Sequence, residues 1–344
     1  WFKPWRLEAD TRALRHRRML ESIAEAAFER RLSRMALSAD APFTAAGFSD
    51  GNNFDLAIGL TLSASAREGE WARALTAIEN EFRRAIEHGF TEAEIAEQVA
   101  NARTAIRNEV AGVATRRSGS LAARLLGAAD GRSVVTSPAT RAALFEEFAP
   151  TITPETVTQA FRAMREGIGE PLVRVTAKTP IEGGDGAVLA AFGNARAVAV
   201  LPPEARASAT FAYSDFGTPG TVVSDDRIAD LGIRRVRFAN NVMLNIKRTE
   251  FEDDRIRILA RIDGGTLLAT REDPTRVALG SVLPLGGLAA LSADDLRSIL
   301  AGRSVGGGFG LATDSFNLSA VTTPADLALQ AQFLAAYVTH SGYR

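Results

Sequence analysis

The sequence predicts an α+β fold in which a layer of helices covers a sheet, and three observations predict it. Ile23, Ala24, Ala27, Phe28, Leu32 and Met35 follow Leu20 at the three-and-four spacing of one helical face. Phe54, Leu56, Ile58, Leu60 and Leu62 alternate with other residues, which is the period of a strand buried on one side. Several helix starts then follow before a short returning strand at 172–175.

The elements follow in order. Trp71, Leu75, Ile78, Phe82 and Ile86 line a second helix that stops at Gly89, and Thr91 with Glu94 forms a capping box for a third. Phe90 and Ile95 make its hydrophobic staple. Ser137-Pro138 and Thr153-Pro154 each place a capping hydroxyl before a proline suited to the first helical position. Glycine and proline interrupt any period over 179–232, apart from a short helix at 187–192, and the stretch reads as an ordered connector. A hairpin then opens a second domain, with strands at 233–238 and 242–247 joined through Asn240-Asn241. Another strand, 255–262, precedes a helix near 274–285 and one that starts from the Ser292 and Asp295 box. Strands at 304–311 and 316–321 follow, and Thr323-Pro324 starts a last helix.

Composition excludes several functions. Forty Lys plus Arg against 41 Asp plus Glu leave no field that would draw the chain to a polyanion, so no nucleic-acid partner is expected. Without cysteine there is no thiolate metal site and no Cys nucleophile, and three histidines, His16, His88 and His340, cannot build a His-rich centre. No apolar run is long enough for membrane insertion. The opening Trp1-Phe2-Lys3-Pro4-Trp5, without an initiator Met, predicts a segment of a longer protein. The arginines of the first helix, offset by Glu21, Glu25 and Glu29, are expected on a charged outer face.

Two motifs suggest chemistry and fail on context. Gly302-Arg303-Ser304-Val305-Gly306 has the G-x-S-x-G pattern, with Asp314 or Asp326 and His340 following, but a helix precedes it where a nucleophile elbow needs a strand. Gly306-Gly307-Gly308-Phe309-Gly310 lacks the strand-to-helix setting and the Lys-Ser or Lys-Thr of a phosphate loop. Glycines in a strand mark a bulge or a place where another backbone lies close, which leaves an edge open to peptide as the functional reading.

Phe211-Ala212-Tyr213-Ser214-Asp215-Phe216-Gly217-Thr218-Pro219-Gly220, the run Val236-Arg237-Phe238-Ala239-Asn240-Asn241-Val242-Met243-Leu244-Asn245-Ile246-Lys247, and Thr322-Thr323-Pro324-Ala325-Asp326-Leu327 together resemble the pitrilysin/insulinase zinc metallopeptidases, bacterial periplasmic members above all. Arg30-Arg31-Leu32, Gly89-Phe90-Thr91 and Ile152-Thr153-Pro154-Glu155 are similar to the helical part of the preceding repeat. The resemblance implies LuxS/MPP-like metallopeptidase modules of mostly antiparallel sheet covered by helices, two of them incomplete here. Residues 1–205 would be the end of a noncatalytic module, 206–232 a connector, and 233–344 the beginning of a degenerate module. In the family an inverted H-x-x-E-H motif holds zinc; Ala278 and Val282 stand here where the histidines would be and Ser281 where the glutamate would be.

The resemblance therefore implies no catalytic or metal residue and no cofactor in this segment, with zinc in the parent's catalytic module. Val305, Gly306, Gly307, Gly308, Phe309, Gly310 and Leu311 match the strand along which the catalytic module binds peptide by strand addition. The implied partners are peptide or unfolded polypeptide, other modules of the same chain, and another copy in a homo-oligomer; the implied location is the periplasm. The implied role is a noncatalytic segment that helps enclose substrate, the parent performing proteolysis. A structural or binding subunit paired with an active partner is the alternative.

Overall fold

The computed structural model describes residues 1–204, 209–275 and 277–342, without the side chains of 278–281. The chain forms two compact units, Trp1–Ala105 with Leu125–Ser208, and Ile106–Arg124 with Ala209–Arg344. The expected boundary between 205 and 206 lies outside the described residues.

In the first unit a three-stranded antiparallel sheet, ordered β1 (Phe2–Pro4), β3 (Ala57–Ser65) and β2 (Ala45–Asn53), carries the helices. The strand expected at 54–62 starts three residues later. Phe54 and Asp55 take φ of 55° and 56° in the turn between β2 and β3, and Asp55 is held by its backbone N–H donating to Asn52 Oδ1 at 3.0 Å. Such polar turn residues tolerate left-handed backbone, and Phe54 is left exposed. β2, Ala45-Ala46-Gly47-Phe48-Ser49-Asp50-Gly51-Asn52-Asn53, buries only Phe48, so it gives no alternating apolar signal; pairing with β3 makes it a strand. The expected strand at 172–175 has no ladder among the described residues.

Helix α1 (Arg12–Ala36) packs on β2 and on α6 (Pro154–Met164), while α2 (Trp71–His88) packs on β3 and on α7 (Gly184–Ala197). Phe28, Phe48, Phe82 and Phe161 meet between them, with Phe28 and Phe161 centroids 5.2 Å apart and Phe82 and Phe161 5.7 Å apart. Each such pair contributes about 0.5–1.5 kcal/mol beyond area burial. Capping follows the sequence: Ser137 opens α5 (Pro138–Phe148), and Thr153 opens α6 through a box completed by Thr156. Thr91 and Glu94 exchange hydrogen bonds at the start of α3 (Glu92–Ala111), with Phe90 and Ile95 buried.

Arg31 does not join an outer charged face. It is 4% exposed, and its guanidinium grips Glu94 with two bonds of 2.6 and 2.8 Å, donates to Gly89 O at 2.8 Å and covers the Phe90 ring at 4.8 Å. Gly89, at φ 70°, closes α2 where any Cβ would fall 2.3 Å from Thr158 Oγ1. Burial pushes the Glu94 carboxyl up, but Arg31 and the Thr91 donors hold it below the ordinary range.

The second unit holds two further antiparallel sheets. The first, in order β4 (Val222–Ile228), β5 (Ile233–Phe238) and β6 (Met243–Lys247), places β4 within the stretch read as connector. Its β5–β6 turn has Asn241 at φ 66°, as the Asn-Asn pair predicts. Met243, Leu244 and Ile246 are exposed, and Arg234 and Arg235 pair with Asp225 and Asp226 across β4 and β5.

The other sheet has β9 (Ser315–Thr322) between β7 (Ile256–Asp263) and β8 (Gly308–Leu311). Leu288, Leu291, Leu296, Leu318, Phe333 and Tyr337 form its core with α8 (Ala293–Ile299) and α9 (Leu327–Thr339). Tyr213 enters the same core and accepts from Ala290 N–H at 2.8 Å. The helix expected near 274–285 is a 3-10 helix at Ala278–Gly286 with Pro284 inside it, and the last helix starts at Leu327, after Pro324.

Two outcomes test this packing. Arg31→Ala leaves the Glu94 carboxylate without its cation, Glu81 keeping its pair with Arg84, and should cost about 3–5 kcal/mol in denaturant unfolding. Tryptophan emission reports that unit, since Trp1, Trp5 and Trp71 all lie in it. Glu25 is pushed up to about 7 by burial and by the neighbouring Asp50, so it takes up a proton on folding and stability falls from about pH 4.5 through 7. Glu25→Gln should flatten that slope and add about 1 kcal/mol at pH 8, the half-exposed position screening the remainder.

Candidate functional site

The three positions expected to replace a zinc motif lie at the 3-10 helix Ala278–Gly286. Val282 is 47% exposed; the side chains of Ala278 and Ser281 lie outside the described residues. The donor set does not fit zinc, because alanine and valine offer no ligand atom and serine no carboxylate. The backbone does not fit either. An α-helix brings positions i and i+4 onto one face, whereas three residues per turn rotates them about 120° apart. Among the described residues no cluster of three His, Asp or Glu side chains is placed to hold a metal.

The expected peptide-binding strand is built from two different backbones. Gly308, Phe309, Gly310 and Leu311 form β8, which among the described residues pairs with β9 alone, in the register Gly308 to Ser319 and Leu311 to Phe316, and packs beside the 3-10 helix Ala278–Gly286. Val305, Gly306 and Gly307 form its irregular lead-in, and Val305 and Phe309 pack on the unit's core. A Cβ on Gly307 would fall 3.1 Å from Ser319 O, so glycine there permits close approach of two backbones.

The lead-in is held by α9. Asp326 precedes that helix yet leaves its end uncapped. Its carboxylate accepts from Ser304 N–H at 2.7 Å and from Arg303 at 3.1 Å. Fully buried Gln330 accepts from Gly306 N–H at 2.9 Å through its Oε1, while its Nε2 has no partner among the described residues. Sequence spacing gave no sign of either role, because both contacts cross more than twenty residues.

This arrangement also disposes of the serine elbow. Asp326 binds the Ser304 backbone rather than an imidazole, Ser304 Oγ accepts from Asn108 at 2.9 Å, and His340 Nδ1 contacts Thr339 Oγ1 at 2.7 Å. No base among the described residues reaches the hydroxyl.

The first unit contains a cleft of about 1290 Å³ that sequence reading missed. It is lined by β3 beyond Leu60, by the extended segment 171–182, and by α2 through Trp71, Leu75 and Ile78. Val173 and Val175 are half-buried while Leu172, Arg174 and Thr176 are exposed, so the period of a strand survives where the ladder does not. Glu79, 6% exposed, also lines the cleft; burial pushes its carboxyl up, and Arg196, Arg165 and Arg83 pull it back. The alternation at 172–175 was the one signal available from sequence.

No known family profile and no curated protein sequence matches the chain. Solved structures do. The periplasmic protease PqqL from Escherichia coli matches at 16% identity and a TM-score of 0.51, over 99% of this chain and 38% of that one. The ferredoxin protease FusC, solved as a point mutant in complex with Arabidopsis ferredoxin, matches at 15% identity and TM-score 0.51, over 95% of this chain and 37% of that one. The first half of PqqL, solved separately, matches 59% of this chain and 44% of its own at 16% identity and TM-score 0.50. The fold is that of pitrilysin/insulinase-type proteases, in agreement with the resemblance read from sequence, and the chain spans little more than a third of the full-length neighbours. No helix among the described residues is long and apolar enough to cross a membrane.

Asp326→Ala should free the Ser304 amide and Gln330→Ala the Gly306 amide, each costing about 1–3 kcal/mol. Hydrogen exchange should quicken at those amides ahead of the β9 ladder; unchanged protection would remove α9 as the support of the lead-in.

Proposed function

We propose that this chain is a noncatalytic segment of a zinc-dependent metalloendopeptidase, one that helps enclose a peptide substrate while a module elsewhere in the parent hydrolyses it. The observation that carries the reading is the combination of a protease fold along nearly the whole chain with a donor set at Ala278, Ser281 and Val282 that does not suit zinc. Fold alone would not give function. Enclosure is supported by two polypeptide-compatible features described above, the β8 edge and the cleft beside β3, each within its own unit. A periplasmic location belongs to the same proposal, by analogy with the neighbour described as a periplasmic protease. No hydrolytic step is assigned to these residues.

Elemental analysis of the purified chain, with a quenched fluorescent peptide assayed before and after chelation, tests the reading. The expected result is no stoichiometric zinc and no chelator-sensitive cleavage. Zinc bound at one equivalent together with chelatable activity would show a site assembled from other residues, and would overturn it.

A further inference from the structure

Two polar side chains are sealed inside the second unit, each with one atom unpaired. Thr322 and Gln330 are both 0% exposed, and among the described residues Thr322 Oγ1 and Gln330 Nε2 have no hydrogen-bond partner. Buried polar groups are nearly always bonded, to protein or to ordered water. The Gln330 amide cannot resolve this by turning over, because Gly306 N–H donates to its Oε1 at 2.9 Å and a flip would set two donors against each other. The donor end is therefore the one that needs an acceptor. Full burial keeps groups outside the unit from supplying it.

Both atoms belong to one layer. Leu318, Ala320 and Thr322 are the buried side of β9, alternating with exposed Ser319 and Val321, and Leu318 packs with Phe333 and Tyr337 of α9. Thr322 thus lies on the face that meets α9, from whose first turn Gln330 reaches the lead-in of β8. The two stand at the same end of that layer, since the chain passes from Thr322 into the helix through a turn in which Asp326 N–H donates to Thr323 O at 3.2 Å. The pairing of Gly308 with Ser319, continued along the lead-in, sets Val305 opposite Thr322 and next to the Gly306 amide that Gln330 holds. The two atoms do not bond each other, so a third group is needed between them. An N–H that needs an acceptor and a hydroxyl that gives or takes a proton select a small neutral molecule with both capacities. A cation would face the amide hydrogens, and the Asp326 carboxylate is already engaged with Ser304 and Arg303. Water has both capacities and in protein interiors makes about three bonds. The carbonyls of Ser304, Val305 and Gly306, engaged by no backbone hydrogen bond among the described residues, offer the third acceptor.

We infer that one water molecule is bound between β9 and α9, accepting from Gln330 Nε2 and donating to Thr322 Oγ1, as an internal component of the second unit. It fixes the Gln330 amide with its oxygen on Gly306, so the support of the β8 lead-in passes through a molecule that the sequence does not encode. The inference goes beyond the proposed function and stands apart from it, since nothing in it depends on peptide handling or on zinc.

A crystal structure of the intact chain, at a resolution that shows ordered water, tests this without any variant. The expected result is density for one oxygen within hydrogen-bond distance of both Gln330 Nε2 and Thr322 Oγ1. A direct bond between the two side chains, or no density there, would overturn the inference. Thr322→Val keeps the shape of the side chain and deletes its hydroxyl. A water that loses this partner should make the β9 amides open about tenfold more often by hydrogen exchange. Unchanged or rarer opening would mean that the oxygen was bare, because removing an unsatisfied polar atom relieves its cost, and would overturn the inference. Gln330→Met removes the other partner, so the double variant should open less than the product of the two single effects. A full product would place the two atoms in separate sites and overturn it as well.

Discussion

A single buried cation organises the helical layer of the first unit. Arg31 projects from α1 and is met by Glu94 from the start of α3, by the carbonyl of Gly89 at the end of α2, and by the face of Phe90 between them. A guanidinium offers five donors in a fixed fork, which lets it bind a carboxylate bidentately and still reach a carbonyl. Three helices are thereby fixed relative to one another at one point, and the aromatic cluster of Phe28, Phe48, Phe82 and Phe161 fills the space beside it. Desolvating such a charge is costly, and partners on every side offset that cost. Glu94 also completes the capping box with Thr91, so the same carboxylate starts a helix and neutralises the cation.

Helices were the legible part of the sequence because their signals are local. Capping at Ser137, Thr153 and Ser292, the glycine stop at residue 89 and the staple of Phe90 with Ile95 lie within a turn or two of what they determine. Strands were less legible where pairing rather than pattern made them. β2 buries one phenylalanine and is held by its register with β3; β4 arose in a stretch broken by glycine and proline; 172–175 has the alternation of a strand and no neighbour to complete it among the described residues. Arg31 was misplaced for a related reason, since its partners are fifty or more residues away and a run of arginines reads as solvated.

The candidate sites divide in the same way. Chemical identity could be read directly: alanine and valine lack ligand atoms wherever they sit. Geometry could not, and the 3-10 winding at Ala278–Gly286, the hold of Asp326 and Gln330 on the β8 lead-in and the cleft beside β3 required tertiary structure. The serine motif shows the converse. Its residues match a nucleophile pattern in order, and the fold uses them for backbone support instead, with the aspartate on an amide and the histidine elsewhere.

The small sheet of β4, β5 and β6 differs in kind from the rest of the second unit. It buries little: Met243, Leu244 and Ile246 remain exposed, and across β4 and β5 its side chains meet as the ion pairs of Arg234 with Asp225 and Arg235 with Asp226. Attraction between solvent-facing charges fades as dissolved ions gather around them, with a screening length near 10 Å at about 0.1 M salt and near 3 Å at 1 M. Apolar burial responds in the opposite direction to strongly hydrated salts such as sulfate. The sheet around Tyr213 and Leu288 and the sheet of β4–β6 thus respond to added salt in opposite directions, the first through apolar burial and the second through its exposed ion pairs.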